Sequence, residues 1–546
     1  MKKNAKTVSG NIVDVLNSQI YPGTLEIYDG RITDIIREDS KYETYIIPGF
    51  VDSHIHIESS MLIPSEFARV AVIHGTVATV SDPHEIANVL GVDGVRYMMK
   101  NAETVPVKFY FGAPSCVPAS AFETSGATIG PEQIEGLLKL GEIKYLSEVM
   151  NFPGVVNDDP VVSKKISIAK KYSKLIDGHA PGLRGQNLEK YVNAGISTDH
   201  ECFAKDEALE KISLGMKVQI REGSAARNFE ELIPIVEQHY EMCMFCSDDK
   251  HPNDLVKGHI NALVKRALNY DIDIMMVLTV ACVNPVLHYG LDVGLLRKGD
   301  YADFVVVDNL DDFGVLKTYI NGEIVAEEGR SLITRKASKI VNNFKVRKKE
   351  VADFALPYEK GNLNVIEAID GQLITNKLVV PPKIVDGYVV SDVGRDILKM
   401  AVVNRYQETE IAIGFVKNFG LRKGAIASSV AHDSHNVIAV GVADEDICRA
   451  VNLIIEKKGG ISAATQEREI VLPLPIAGIM SDEDYSYVAE KYTFIDTMAK
   501  SLGSMLHAPF MTLSFMALLV IPKIKLSDKG LFDGEKFEFM NAFEET

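Results

Sequence analysis

Two histidines separated by one residue, His54 and His56, end the run IIPGFVDSHIH at residues 46–56. On an extended strand, residues two apart face the same way, so both imidazoles can be aimed at one point. Two nitrogens so placed are half of a metal site. Single polar residues stand at the matching ends of later apolar runs: Glu148 in LSEVMNF, His179 in IDGHAPG, His200 in STDHEC and Asp248 in FCSDDKHP. Four imidazoles and two carboxylates make a nitrogen and oxygen ligand set for two divalent ions, with one carboxylate bridging the pair. Such donors suit Zn, Mn or Fe(II), and the sequence does not choose among them. Two adjacent cations that share a water lower its pKa enough to supply hydroxide at neutral pH, the chemistry of metal-assisted hydrolysis.

These six residues lie far apart in the chain, so a regular scaffold must gather them. Between residues 49 and 295, β-rich runs alternate with helix-length amphipathic segments: GTVATVSDPHE, VKFYFGAPSCVP, IKYLSEVMN, KLIDGHAPG, ISTDHECF, KVQIREGS and EMCMFCSDD each precede such a segment. That cadence predicts a (β/α)8 barrel, whose functional groups gather at the C-terminal ends of its strands. Short strand-like runs with Gly-containing turns fill residues 1–48 and return at 296–345, which predicts a small flanking β-sandwich built from both segments. A basic run at Arg347, Lys348 and Lys349 marks the start of a third unit, an α/β domain over residues 346–546.

The chain has 546 residues, 46% of them hydrophobic, enough for several cores. Its 75 acidic residues outnumber 58 basic ones, for a formal charge of −17, which opposes binding to nucleic acid or an anionic membrane and suits a small ligand. Six scattered cysteines make no disulfide framework and the N-terminal residues lack a signal-peptide core, so a reducing cytoplasm, with a homodimer as the usual assembly, is the expected setting. The apolar stretch APFMTLSFMALLVIP (508–522) is too short to span a membrane and reads as core.

PGFVDSHIH, followed by lone histidines at two later strand ends and an aspartate at the last, resembles the amidohydrolase superfamily. Its members hold metal in a (β/α)8 barrel beside a small β-sandwich, and GLLRKGDYADFVVVD (294–308) is similar to that flanking domain. More narrowly, SDPHEIANVLG (81–91), DGHAPGLRG (177–185), STDHEC (197–202), REGSAARN (221–228) and CSDDKHPNDLVKGHI (246–260) are similar to the adenine deaminase family, and the likeness runs over nearly the whole chain. The resemblance implies that His54, His56, His179 and His200 are metal ligands, that Glu148 is the bridging carboxylate, and that Asp248 is both ligand and proton carrier. Many members of the superfamily bridge their metals with a carbamylated lysine. Lys144 is the alternative on that ground, although the family's pattern favours Glu148.

Hydrolytic deamination of free adenine to hypoxanthine also needs an acid at the ring nitrogen. Glu85, after an apolar run, is the candidate if burial keeps it protonated. Asp82 and His84 orient the base, bind an auxiliary ion or cap the following helix. Arg221, Glu222 and Ser224 contact ring nitrogens or form a structural turn. His251 and His288 are loop groups near the mouth or ordinary packed histidines. Cys243 and Cys246 superficially match part of a zinc deaminase signature, but no proline precedes Cys243 and the pair falls within a core-like strand. The late cluster AHDSHN (431–436), with His432, Asp433 and His435, reads first as packing. It and the segment around His507 are also candidates to close the active site. Another amidohydrolase activity, such as a cyclic amidase or an N-acetyl sugar deacetylase, and a non-catalytic barrel scaffold are the competing readings.

Overall fold

The structure, a computed structural model, describes residues 5–544. Eight parallel strands form its centre: β1 (Phe50–Ile55), β2 (Thr76–Ser81), β3 (Lys108–Ala113), β4 (Tyr145–Val149), β5 (Leu175–Gly178), β6 (Thr198–Asp199), β7 (Lys217–Arg221) and β8 (Cys243–Cys246). Neighbours pair in chain order from β1 to β5 and from β6 to β8. The two arcs meet where Ser197 donates from its amide to the Ile176 carbonyl at 2.9 Å, next to the ends of β5 and β6. On the far side, the Asp248 amide donates to the His54 carbonyl at 3.0 Å, and the His56 amide to the Asp248 carbonyl at 3.3 Å. The barrel is therefore closed, and its last seam runs through residues expected to hold metal.

Every strand is followed by helix, among them Pro64–Ala71 after β1, His84–Leu90 after β2, Pro160–Lys171 after β4 and Lys205–Ser213 after β6. The strand interiors are buried on both faces, as parallel sheets covered by helices require. All eight runs read from the sequence as barrel strands are strands here. Cys243 and Cys246 are buried free thiols on β8, as the core reading had them.

The flanking segments combine into a single eight-stranded sheet, joined where Phe304–Val307 pairs antiparallel with Tyr45–Pro48. It curls so that Leu25, Ile27 and Ile32 share one apolar cluster with Phe304 and Tyr319. The two layers of the expected sandwich are thus one sheet folded over itself, while Val13, Ile47 and Val305 on its other face pack against the barrel.

The third unit has a second mixed sheet, with Ile397–Val403 and Val437–Gly441 as inner strands and the helix Asp444–Lys457 against one face. Its other face shares a core with the barrel. Helix Pro509–Phe515, from the apolar stretch read as core, is buried throughout, and no helix among the described residues is long and apolar enough to cross a membrane. This unit sits on the C-terminal mouth of the barrel. Arg69 on the helix after β1 bonds Asp484 at 2.7 Å, the Met61 carbonyl accepts from the Ser481 amide at 2.8 Å, and the Gly371 carbonyl accepts from the Ala226 amide at 3.1 Å.

His251 is buried at that junction, with Nδ1 2.6 Å from the Tyr492 hydroxyl. Burial pulls its imidazole down to about 3, against about 6.5 in an unfolded chain. On acidification the unfolded chain takes the proton first, so this contribution is complete above pH ~6.5 and declines towards pH ~3, by at most about 1.4 kcal/mol per pH unit. Denaturant titrations from pH 7 to 4 should show that slope in the wild type and a slope smaller by nearly one proton in His251→Gln. Equal slopes refute the assignment.

Candidate metal and substrate site

The six expected ligands converge at the mouth of the barrel, all buried. His54 Nε2 lies 3.2 Å from His56 Nε2 and 3.4 Å from Asp248 Oδ1, and His56 Nε2 lies 3.2 Å from the same oxygen. On the other side, Glu148 Oε2 lies 2.8 Å from His179 Nδ1 and 3.2 Å from His200 Nε2. Glu148 Oε1 turns back to His56 Nε2 at 3.3 Å, so the carboxylate spans both groups. Ion-to-ligand lengths of about 2.0–2.2 Å place neighbouring ligand atoms roughly 3.0–3.4 Å apart, which these edges match apart from the direct hydrogen bond of 2.8 Å between His179 and Glu148. Lys144, the alternative bridge, precedes β4 and stands over the Tyr110 ring. Four residues of strand, about 13 Å, separate it from the end that carries Glu148.

Local structure explains the aim of each group. His54 and His56 leave β1 on one face, and His56 Nδ1 donates to the Asp82 carbonyl at 3.1 Å, which leaves its Nε2 lone pair facing the centre. Asp248 adopts φ 50°, a left-handed turn that Asp tolerates better than most residues, and this turns its carboxylate over the mouth. Lys211, wholly buried, donates to Asp199 at 2.9 Å, Glu207 at 2.7 Å and the Ala180 carbonyl at 2.8 Å. It thereby ties the residue before His200 to the residue after His179.

The charge balance favours cations. Glu148, Asp248, Glu201, Asp82, Glu85, Asp249 and Asp433 crowd this region, and Arg221 is the permanent cation among them. Burial opposes every charge here, yet the neighbouring histidines hold Glu148 well below the carboxylate range, and Arg221 with His54 and His56 does the same for Asp248. Those carboxylates in turn override burial to raise His56 and His200 well above the ordinary imidazole value. Asp82 Oδ2 and His84 Nδ1, which stand in one group with His56 and Glu148, are buried without hydrogen-bond partners. Divalent ions fit a donor set of this kind, and the buried cluster is consistent with the divalent-metal binding of an amidohydrolase.

The remaining expectations divide. His84 joins the cluster, with Nδ1 3.3 Å from both Asp82 Oδ2 and Glu148 Oε1, while Asp82 Oδ1 accepts from the His84 amide at 3.1 Å ahead of a helix whose N-cap is Pro83, without a side-chain cap. Arg221 lines the cavity, but its guanidinium is engaged by Asp248 at 2.9 Å and by Glu201. It holds Asp248 and Glu201 in place at the cavity wall. Ser224 does not line the cavity: its hydroxyl donates to Asp254 at 2.7 Å and accepts from the His251 amide at 2.9 Å, so the structural turn describes it. His288 lies at the opposite end of the barrel, 3.3 Å from the Ser197 hydroxyl, and His507 is exposed beside Arg227.

Glu85 requires a correction. Burial does push its carboxyl towards neutrality, but His432, His435 and His84 outweigh burial and hold it well below the carboxylate range. His435 Nε2 lies 2.5 Å from Glu85 Oε2, and His432 Nδ1 contacts Oε1. Against burial, Asp249 and Glu85 push His432 up to about 9. The proton therefore resides on His432, and Glu85 is its anionic partner. AHDSHN is thus part of the site wall as well as packing. Sequence reasoning also missed Glu201, 3.4 Å from His200 Nε2 and 3.5 Å from His179 Nδ1. Strand alternation would have sent it away from His200, but β6 ends at Asp199 and the turn brings both inward.

Lys211→Met removes one charge and strands two buried carboxylates. It should cost about 3–5 kcal/mol of stability and lower the bound metal per chain, read by thermal melting and elemental analysis. Wild-type metal content at wild-type stability would show that Lys211 does not position the ligands.

Two family descriptions match the chain: Amidohydrolase family over residues 45–325 and Adenine deaminase C-terminal domain over residues 372–538. The adenine deaminase of Salinibacter ruber (strain DSM 13855 / M31) is 55% identical over 539 residues, covering 98% of this chain and 99% of that protein. That of Sulfurovum sp. (strain NBC37-1) is 56% identical over 536 residues, with 98% and 99% covered. Among solved structures, a β-aspartyl dipeptidase from Fervidobacterium islandicum AW-1 superimposes on 60% of this chain and 98% of its own at TM-score 0.47 and 14% identity. The chain belongs to the adenine deaminase family of the amidohydrolase superfamily, and it is a hydrolytic enzyme acting on adenine.

Proposed function

We propose that His54, His56, His179, His200, Glu148 and Asp248 hold two divalent ions, Mn or Fe(II) before Zn, and that adenine is hydrolysed beside them. The supporting observation is the pair of ligand triangles joined by Glu148, whose two oxygens face opposite sides of the cluster. When bound, the ions supply Lewis acidity that readies a water for attack at neutral pH. A C6–O bond forms, the C6–N bond breaks, and the amine leaves as ammonia with hypoxanthine remaining.

The chain's own groups manage the protons. Asp248 takes the proton of the attacking water and delivers it to the departing amine, held in place by Arg221 on its second oxygen. His432 is the donor to the ring nitrogen and anionic Glu85 stabilises its imidazolium; the second proton of the attacking water, released as the C6 hydroxyl becomes the carbonyl, restores His432. Burial beneath the C-terminal unit keeps bulk water away from these transfers.

Chelator treatment should abolish ammonia release from adenine, and restoration with Mn, Fe(II) or Zn in separate samples should rank the metals. Asp248→Asn should lower kcat by about 10³-fold or more in the reconstituted protein. Activity that survives metal removal, or an Asp248→Asn variant within tenfold of wild type, refutes the mechanism. A purine panel assayed alongside, with cyclic amides and N-acetyl sugars, reads the substrate class directly.

A further inference from the structure

The cavity beside the metal ligands has a far wall that belongs to the C-terminal unit. Leu373, Phe515 and Leu518 present apolar surface there, with Met150 from the loop after β4 facing the same space. A flat heteroaromatic base fits such a wall through its ring faces. Its edges need donors and acceptors, and Asp433 supplies an acceptor that the protein leaves unused.

Asp433 is 3% exposed and lines the cavity. Its Oδ1 makes only long contacts, 3.7 Å to His84 Nε2 and 4.0 Å to His432 Nδ1. Its Oδ2 is buried without a hydrogen-bond partner. An unsatisfied acceptor in a closed cavity is costly until a ligand brings a donor. The His84 ring measures the spacing: its Nδ1 faces Glu148 Oε1 at 3.3 Å and its Nε2 faces Asp433. Asp433 thus stands about one five-membered ring farther from the ligand cluster than Glu148 does.

With the amine-bearing carbon at the cluster, a purine extends its five-membered ring towards that wall. We infer that Asp433 is a specificity-determining residue that accepts the N–H of the purine's five-membered ring through Oδ2. This rests on the two-ion reading of the site given above. The N–H in question sits on N9 in the major tautomer of adenine, which is where nucleosides and nucleotides carry their sugar. A free base satisfies Asp433. A nucleoside brings no donor and strands the oxygen, a form of discrimination stronger than shape alone can supply. The C-terminal unit, through the same AHDSHN segment, then selects the base as well as roofing the site.

A third cation between His84, Glu85 and Asp433 is the competing use of these atoms. His432 Nδ1 and His435 Nε2 crowd the two oxygens of Glu85, which opposes a cation there, although Oε2 itself makes no hydrogen bond. The experiment separates the two. Asp433→Ala and the isosteric Asp433→Asn are prepared as reconstituted full-length protein, and adenine kinetics are measured together with metal content. Contact with an N–H that persists from ground state to transition state predicts a KM at least tenfold higher in Asp433→Ala and at least threefold higher in Asp433→Asn. In both, kcat should stay within threefold of wild type and the ion count should not change. Inhibition by hypoxanthine, which keeps the same N–H, should weaken by the same factor as KM rises. An unchanged KM, a loss confined to kcat, or loss of an ion overturns the proposal, the last in favour of a metal ligand. If Asp433→Ala does not fold, the isosteric variant decides. Failure of the two-ion reading would show separately, as wild-type protein that holds no stoichiometric metal.

Discussion

Seven buried carboxylates gathered around one guanidinium set the terms for this molecule. An unpaired charge taken out of water is disfavoured by several kcal/mol, so a pit of this kind persists only where cations neutralise it and the surrounding fold cannot relax away. Protons on the histidines can neutralise part of it. Divalent ions would do so more completely, with the four imidazoles and two carboxylates as ligands instead of as acids and bases in conflict. The stability of the site and its chemistry therefore have the same electrostatic origin.

Rigidity comes from two sources. The closing seam of the barrel is made by the backbone of His54, His56 and Asp248, so a shift in these ligands requires breaking sheet hydrogen bonds. Behind them, buried ion pairs take up the remaining freedom. Arg221 bridges Asp248 and Glu201, and Lys211 bridges Asp199 and Glu207 beside the loops that carry His179 and His200. Such pairs add little net stability compared with well-packed apolar groups, but removal of one partner leaves a bare charge behind. They act as position holders. This is also why Arg221, read from the sequence as a possible contact to the base, is found facing the ligands.

The C-terminal unit changes the site from an open barrel mouth into an enclosed cavity. It brings apolar surface at Leu373, Phe515 and Leu518, and it brings His432 and His435 onto Glu85. One carboxyl that burial alone would have kept neutral becomes an anion with a protonated imidazole beside it. The charge state of a barrel residue thus depends on residues nearly 350 positions later in the chain.

Much of this was legible in the residues alone. Alternating apolar runs and amphipathic segments determined eight strands and their helices, because side-chain periodicity follows backbone geometry. Polar residues that interrupt apolar strands at their ends, His54, His56, Glu148, His179, His200 and Asp248, stood out because parallel barrel strands are otherwise buried on both faces. Where a side chain's partner lies across the fold, sequence carries no such trace. Glu201 turns inward only because β6 stops one residue before His200, Ser224 turns away to Asp254, and His288 sits at the opposite end of the barrel. The ionisation of Glu85 was decided by His432 and His435, and that pairing exists only once the C-terminal sheet is seated on the barrel. Local periodicity is written in neighbouring residues, whereas charge state is set by whatever the tertiary structure brings within a few ångströms.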